Sequence, residues 1–299
     1  MNLDKKLAVI SDFHMDINQF SRDELDIFLS VLTELGITDI HFAGDISNAF
    51  HSLTVPFLRQ LATDRNLSVT YNLGNHDMVG LSEKEISEHD FQVKMFGKTA
   101  FVSFHGWYDY SFLTGDFDVK KVVAFKNSFY FDRKIRRAFD DIKTTGLILT
   151  KLENLLTELS ARSDVERIIV STHFVPHQHF IINTRYEKFA RFNAYLGSQH
   201  FHEIFLKFPK VSDVIFGHIH HRMTAVSTDN INYHARPLGY TYEWKMVSQF
   251  LKLYSQYQIP EIWHLRKRYQ AIKDLPEWKE FRRQHLADEF LSALTVFDF

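Results

Sequence analysis

Over the first 80 residues, short apolar runs alternate with longer segments in which apolar positions recur every three or four residues. Leu7 to Ser11 reads as a buried strand, and Ile40 to Ala43 and Ser68 to Leu73 repeat that pattern. Between the first two runs, Ser21 and Glu24 form a capping box. Leu25, Phe28, Leu29, Leu32 and Leu35 then fall on one helical face, and Gly36 ends it. A second helix is expected around Val55 to Leu61. This β-α-β-α-β order predicts parallel strands joined by right-handed crossovers.

The middle of the chain is less regular. Ala100 to Phe104 predicts a strand entering a loop at His105 to Asp109, and Ile148, Leu152, Leu155, Leu156 and Leu159 mark an amphipathic helix. Arg167 to Ser171 and Val214 to Phe216 are again buried-strand runs. From Glu243 to about Leu291 the pattern is mostly helical, broken near Pro260 and Pro276, and Leu294 to Phe299 alternates like a closing strand. There is no internal repeat, low-complexity tract or Gly/Ser linker. One α/β domain over residues 1–299 is expected, with insertions near 78–166 and 243–290.

Composition narrows the chemistry. At 45% hydrophobic and 24% charged residues, the 299-residue chain is globular, and its 29 phenylalanines predict an aromatic interior or pocket. Lys and Arg (35) nearly balance Asp and Glu (37), so no whole-protein field draws in nucleic acid or an anionic membrane. With no cysteine, disulfides, thiolate metal sites and a Cys nucleophile are excluded, and any metal must sit on oxygen and imidazole. The apolar run after Lys5 and Lys6 stops at Ser11, and no stretch approaches the roughly 20 residues that span a bilayer. A cytoplasmic protein without a membrane partner is the expectation.

Five strand runs end in side chains able to bind metal. Asp12 and His14 follow the first, Gly44-Asp45 the second, and Gly74-Asn75-His76-Asp77 the third. His173 follows Arg167 to Thr172, and Gly217-His218-x-His220 follows Val214 to Phe216. Ligands bind outside the carboxyl ends of strands in open α/β sheets, so these side chains should converge on one rim. On extended backbone, residues two apart point the same way, which would pair Asp12 with His14 and His218 with His220. The glycines would let backbone approach the cations. Carboxylate, amide oxygen and imidazole suit Mn, Fe, Zn or Mg, with imidazole favouring the transition metals.

The ordered set Asp12-x-His14, Gly44-Asp45, Gly74-Asn75-His76-Asp77, His173 and Gly217-His218-x-His220 resembles the calcineurin-like metallophosphoesterase superfamily, in its small bacterial form. The resemblance covers the blocks near 7–77 and 167–240. It implies a sandwich of two mixed β-sheets flanked by helices, and two divalent cations. One would be held by Asp12, His14, Asp45 and His220 and the other by Asp45, Asn75, His173 and His218, with Mn or Fe favoured. His76 would face the leaving oxygen as general acid, and Asp77 would support its loop. A hydroxide shared by the cations would hydrolyse a phosphate mono- or diester, with a small or nucleotide-like substrate. The absence of an arginine after Gly44-Asp45-Ile46-Ser47-Asn48, and Asp77 in place of Glu, make phosphoprotein substrates less favoured. The segment His105 to Asp109 would shape the substrate pocket by analogy with family members.

Other readings stand beside these. Asp12 and Asp45 could cap helices, Asn75 and Asp77 could form a turn, and His173 could be a hydrogen-bonded loop residue. His221 adjoins two candidate ligands and should point away from them. Arg185, Arg191 and Arg236 could border the cleft, as could Trp107, Tyr108 and Tyr240, although surface or core positions suit each as well. A nuclease of the same superfamily and a silent binding scaffold remain the rival functions.

Overall fold

The computed structural model describes residues 5–64, 67–113, 117–184 and 186–299. Strands β1 (Lys6–Ile10), β2 (Asp39–Ala43) and β3 (Ser68–Asn72) run parallel, as their crossovers require. A second, six-stranded sheet takes the order β4 (Gln92–Phe96), β5 (Thr99–Ser103), β6 (Arg167–Ser171), β7 (Val211–Phe216), β9 (Ile231–Ala235), β8 (Val226–Thr228). The hairpin partners β4 and β8 carry no clear signal in the sequence, being short, half-exposed edge strands without a continuous apolar run. The closing run forms β10 (Thr295–Asp298), antiparallel to β1.

Period-two alternation sorts the side chains of β1 and β2 between two layers. Leu7, Val9 and Ala43 meet Phe96, Phe101, Ile169, Ile215 and Phe297 between the sheets. Ala8, Ile10, Ile40 and Phe42 face outward, under the helices. Also within the β2 and β3 layer, buried His41 bonds Thr70 Oγ1 and Asn72 Oδ1, each at 2.9 Å, and the Ser171 hydroxyl donates to the same Asn72 oxygen across the sheets at 2.9 Å. Polar groups at this depth stay because all find partners.

Helix α1 (Arg22–Glu34) opens with the expected reciprocal cap at Ser21 and Glu24 and packs with α2 (Val55–Asp64) on the four-stranded sheet. Helix α3 (Asp141–Ala161) covers the six-stranded sheet through Ile148, Leu152, Leu156 and Leu159. The carboxyl-terminal helices α4 (Lys245–Leu253) and α5 (Pro276–Ala293) return to the four-stranded sheet, where Phe250, Trp278, Leu286 and Phe290 join its outer core. Among the described residues no helix is long and apolar enough to cross a membrane.

The aromatic content has a positional use. Phe13, fully buried between Asp12 and His14, packs against Phe20, Phe28, Phe42, Phe57 and Phe290 with ring centroids 5.0 to 6.2 Å apart. An aromatic anchor of this size fixes the backbone on both sides of it.

Candidate metal centre

The five strand ends converge. Asp12, His14, Asp45 and His220 form one group, and Asp45, His173 and His218 another; within each, the donor atoms lie within 4.8 Å of one another. Asn75 joins the second group, its Oδ1 standing 3.1 Å from both His173 Nε2 and His218 Nδ1. Asp45 belongs to both groups. Its Oδ2 lies 3.3 Å from His173 Nε2 and 3.7 Å from His14 Nε2, is buried, and has no hydrogen-bond partner. His220 Nε2 is 3.1 Å from Asp12 Oδ1 and 3.1 Å from His14 Nε2.

The pairing of ligands does not come from extended backbone. Asp12, His14, Asp45, His218 and His220 have φ of 55°, 45°, 57°, 70° and 47°, the left-handed region. Half of the non-glycine residues with positive φ, among those described, are therefore candidate ligands. Such strain, of the order of 1 kcal/mol or more per residue, persists where surrounding structure over-determines it. Here the chain after β1 is held to the chain after β2 by Asp12 N to Gly44 O at 3.0 Å, His14 N to Asp45 O at 2.9 Å and Met15 N to Ile46 O at 2.9 Å.

The glycines also act differently from the expectation. A Cβ on Gly44 would stand 2.5 Å from His173 Nδ1, one on Gly74 2.2 Å from Asp45 Oδ1, and one on Gly217 2.2 Å from Asp12 Oδ2. They make room for the ligand side chains themselves.

Hydrogen bonds to the far nitrogens of three of the histidines orient the cluster, while His14 Nδ1 has none. His173 Nδ1 meets Ala43 O at 3.1 Å, and His218 Nε2 meets Tyr195 O at 3.1 Å. His220 Nδ1 meets Glu243 Oε2 at 2.8 Å. The Asp77 carboxylate accepts the N–H groups of Asp45, Gly74, Ile46 and Ser47 at 2.6 to 3.2 Å, joining the loops after β2 and β3. Burial and the Asp45 charge push Asp77 up to about 7 in spite of these donors. Burial opposes charge on His173 and His220 too, yet Asp45 raises the first to about 9, and Asp12 with Glu243 raises the second to about 10. Burial and the His173 charge press His218 down to about 3. Protons on two imidazoles thus offset two buried carboxylates, a charge balance that cations can take over.

His76 stands beside these groups. Its Nδ1 is 2.8 Å from Asn48 Oδ1, while Asn48 Nδ2 donates to Asp16 Oδ2 at 2.8 Å. The amide orientation so assigned puts the proton of neutral His76 on Nδ1 and leaves Nε2 toward Asp45 Oδ2 at 3.9 Å and the Tyr240 hydroxyl at 3.3 Å. Phe131 stacks on the ring at 3.9 Å.

Several neighbours of the cluster were not legible beforehand. Asn48 stands in the sequence only as a position without an arginine, and Phe131, Asp132 and Glu243 lie in segments without a motif. Asp132, 1% exposed, accepts Asn75 Nδ2 at 2.8 Å. Of the weaker candidates, Tyr240 packs on His14 and His220 with centroids 4.5 and 4.4 Å away. Trp107 and Tyr108 are core residues, and the loop at His105 supports the site from behind, its carbonyl accepting the His173 N–H at 3.1 Å. The side chains of His105, Trp107 and Tyr108 in that loop are buried. Arg191 stands over Phe125 and lines a cleft with Lys121 and Tyr195. Arg236 instead donates to Ser292 O at the end of α5, at 2.9 Å. His221 is exposed, and Arg185 lies outside the described residues.

The family model for calcineurin-like phosphoesterases matches residues 5–222. Among solved structures, a phosphopantetheinyl hydrolase from Mycobacterium tuberculosis is similar over 82% of this chain and 93% of its own, at 17% identity and a TM-score of 0.59. A dimetal phosphatase from Danio rerio is similar over 78% of this chain and 87% of its own, at 16% identity and a TM-score of 0.49. No curated protein matches.

Proposed function

We propose, for a chain that belongs to the calcineurin-like phosphoesterase family, the hydrolysis of a small or nucleotide-like phosphate mono- or diester at this cluster, with two divalent cations. The observation that supports it most directly is the buried, partnerless Asp45 Oδ2 shared by the two donor groups. A carboxylate oxygen at that depth, with the His173 imidazole 3.3 Å away but no hydrogen bond to it, costs on the order of a lost charged hydrogen bond until a cation meets it. The near contact of His14 Nε2 and His220 Nε2 at 3.1 Å places two imidazole nitrogens where one cation could take both once the His220 proton leaves.

Asp12, His14, Asp45 and His220 would hold one cation, and Asp45, Asn75, His173 and His218 the other. The imidazoles favour Mn, Fe or Zn over Mg. Bound there, the cations supply water activation and charge neutralisation on the phosphoryl oxygens. The chain does the rest. Asp77 fixes the loops, and Asn48, itself held by Asp16, keeps the His76 Nδ1 proton in place. A second proton on Nε2 is then directed at the leaving oxygen, and Phe131 and Tyr240 confine the ring. The filled donor set favours an enzyme over a silent scaffold.

A leaving-group series on wild type and His76→Ala tests this reading, with metal content measured on the same samples. The variant should keep both cations. It should lose turnover toward the upper part of the roughly 10² to 10⁴ range for alkyl esters and much less for p-nitrophenyl esters, whose leaving group departs unprotonated. A uniform loss would remove His76 as the acid, and a wild-type protein that binds one cation at saturation would remove the dinuclear site.

A further inference from the structure

A second group of metal-binding side chains lies outside this cluster and shares no residue with it. His177 sits in the loop after β6, His202 in the short helix His200–Phe205, and Asp229 in the turn between β8 and β9. Asp229 and Asn230 both have positive φ, 52° and 62°, the two-residue turn that matches the twist of a hairpin. That turn brings Asp229 Oδ2 to 3.3 Å from His202 Nε2. The His177 ring stands edge-on to the His202 ring, centroids 4.1 Å apart, and one donor atom from each of the three residues lies within 4.8 Å of the others. Both imidazoles are buried, and Asp229 closes the group from the solvent side.

We infer that His177, His202 and Asp229 form a separate site for a single divalent transition cation of the zinc class, which ties the β8–β9 turn to the loop that follows His173. Two imidazoles and a carboxylate are the donors such a cation takes, with water completing a tetrahedron. The far nitrogen of His202 is already held, its Nδ1 lying 2.6 Å from the buried Tyr233 hydroxyl. With the ring proton on Nδ1 facing that oxygen, the Nε2 lone pair turns toward Asp229 and His177, the arrangement by which an outer partner prepares a histidine ligand. His177 is less prepared. Its Nδ1 accepts the His179 N–H at 2.9 Å, and coordination through either nitrogen gives up that bond. The site should therefore bind more weakly than the dinuclear cluster and fill last.

Equilibrium dialysis of the full chain against Zn²⁺ tests the inference. Wild type should bind one equivalent that Asp229→Ala holds at least tenfold more weakly, no less than the roughly 10- to 100-fold loss when only an outer partner of a ligand is removed. Asp229 lies on an exposed turn, so this variant should fold, and circular dichroism checks that it does. Asp45→Asn, which impairs the other cluster, should retain the same equivalent, so failure of the dinuclear reading does not decide this one. Identical Zn²⁺ stoichiometry and affinity for wild type and Asp229→Ala overturns the site, as does a wild-type equivalent that appears only at millimolar Zn²⁺. Anomalous scattering from crystals grown with Zn²⁺ should place a peak between the rings of His177 and His202 beside those of the dinuclear cluster, and peaks at that cluster with none between these rings reject the ligand set.

Discussion

Gly74→Ala isolates one contact at the centre of the proposed site. The added Cβ would lie 2.2 Å from Asp45 Oδ1 and 2.4 Å from Asp45 N, where ordinary contact begins near 3.4 Å. Gly74 has no positive φ, so alanine suits its backbone and the collision is the whole effect. The backbone cannot open to relieve it without loss, because Asp77 Oδ2 holds both Asp45 N at 2.6 Å and Gly74 N at 2.9 Å. The Asp45 backbone and carboxylate must therefore shift together by about 1 Å against these bonds, and a misplacement of that size costs on the order of 10²-fold in turnover. Overpacking should also destabilise the fold by about 1 to 3 kcal/mol. Gly146→Ala is the matched control. Gly146 lies within α3 with nothing within 4 Å of an added Cβ, and alanine there should stabilise by about 0.5 to 1 kcal/mol with turnover unchanged. Elemental analysis, turnover on p-nitrophenyl esters and urea unfolding read the three effects. A Gly74→Ala protein with two cations and near wild-type turnover refutes the placement of Asp45.

His41 should make stability depend on pH. Burial lowers it to about 4, partly opposed by Asn72, so between roughly pH 6.5 and 4 the unfolded chain binds a proton that the folded protein refuses. Its contribution to stability is intact above that window and falls by up to about 3 kcal/mol as pH drops through it; urea unfolding of His41→Gln should show a shallower loss, and parallel curves would count against the assignment. Asp132→Leu should weaken the cation at Asn75, His173 and His218 by about 10- to 100-fold while sparing the other, because the freed Asn75 amide is no longer oriented. Asp132→Asn, which still offers an accepting oxygen, should retain both, and equal losses in the two variants would sink the orienting role. Truncation after Ala293 removes β10 and with it Phe297 from the core between the sheets. The melting temperature should fall sharply, since losing a buried phenylalanine alone costs about 3 to 5 kcal/mol; an unchanged value would show that β10 does not support the sheet.

Local pattern was enough for the frame of this protein. Runs of three to six residues marked β1, β2, β3, β6 and β7, because strands inside a covered sheet are mostly apolar; β3 is the exception, a sheet edge with Ser68 exposed. The rule that ligands gather at carboxyl ends of strands then brought the five motifs to one rim, and the family resemblance picked out Asp12, His14, Asp45, Asn75, His173, His218 and His220 among them. The capping box at Ser21 and the closing strand after Leu294 are equally local signals. The sheet edges β4 and β8 were not, since half-exposed short strands lack a continuous apolar run.

Only the tertiary structure decided how the site is held. The left-handed turns at five candidate ligands are invisible in a pattern of apolar and polar residues, because aspartate and histidine tolerate positive φ better than most residues yet adopt it at few of their positions. The residues that orient the cluster come from distant positions: Asp132 reaches Asn75 across 57 residues, and Tyr240 reaches His76 across 164. A periodicity reports which face of its own element a side chain occupies. It carries no information about which distant loop will be folded against that face, and here that choice fixes the orientation of Asn75, the tautomer of His76 and the partner of His220.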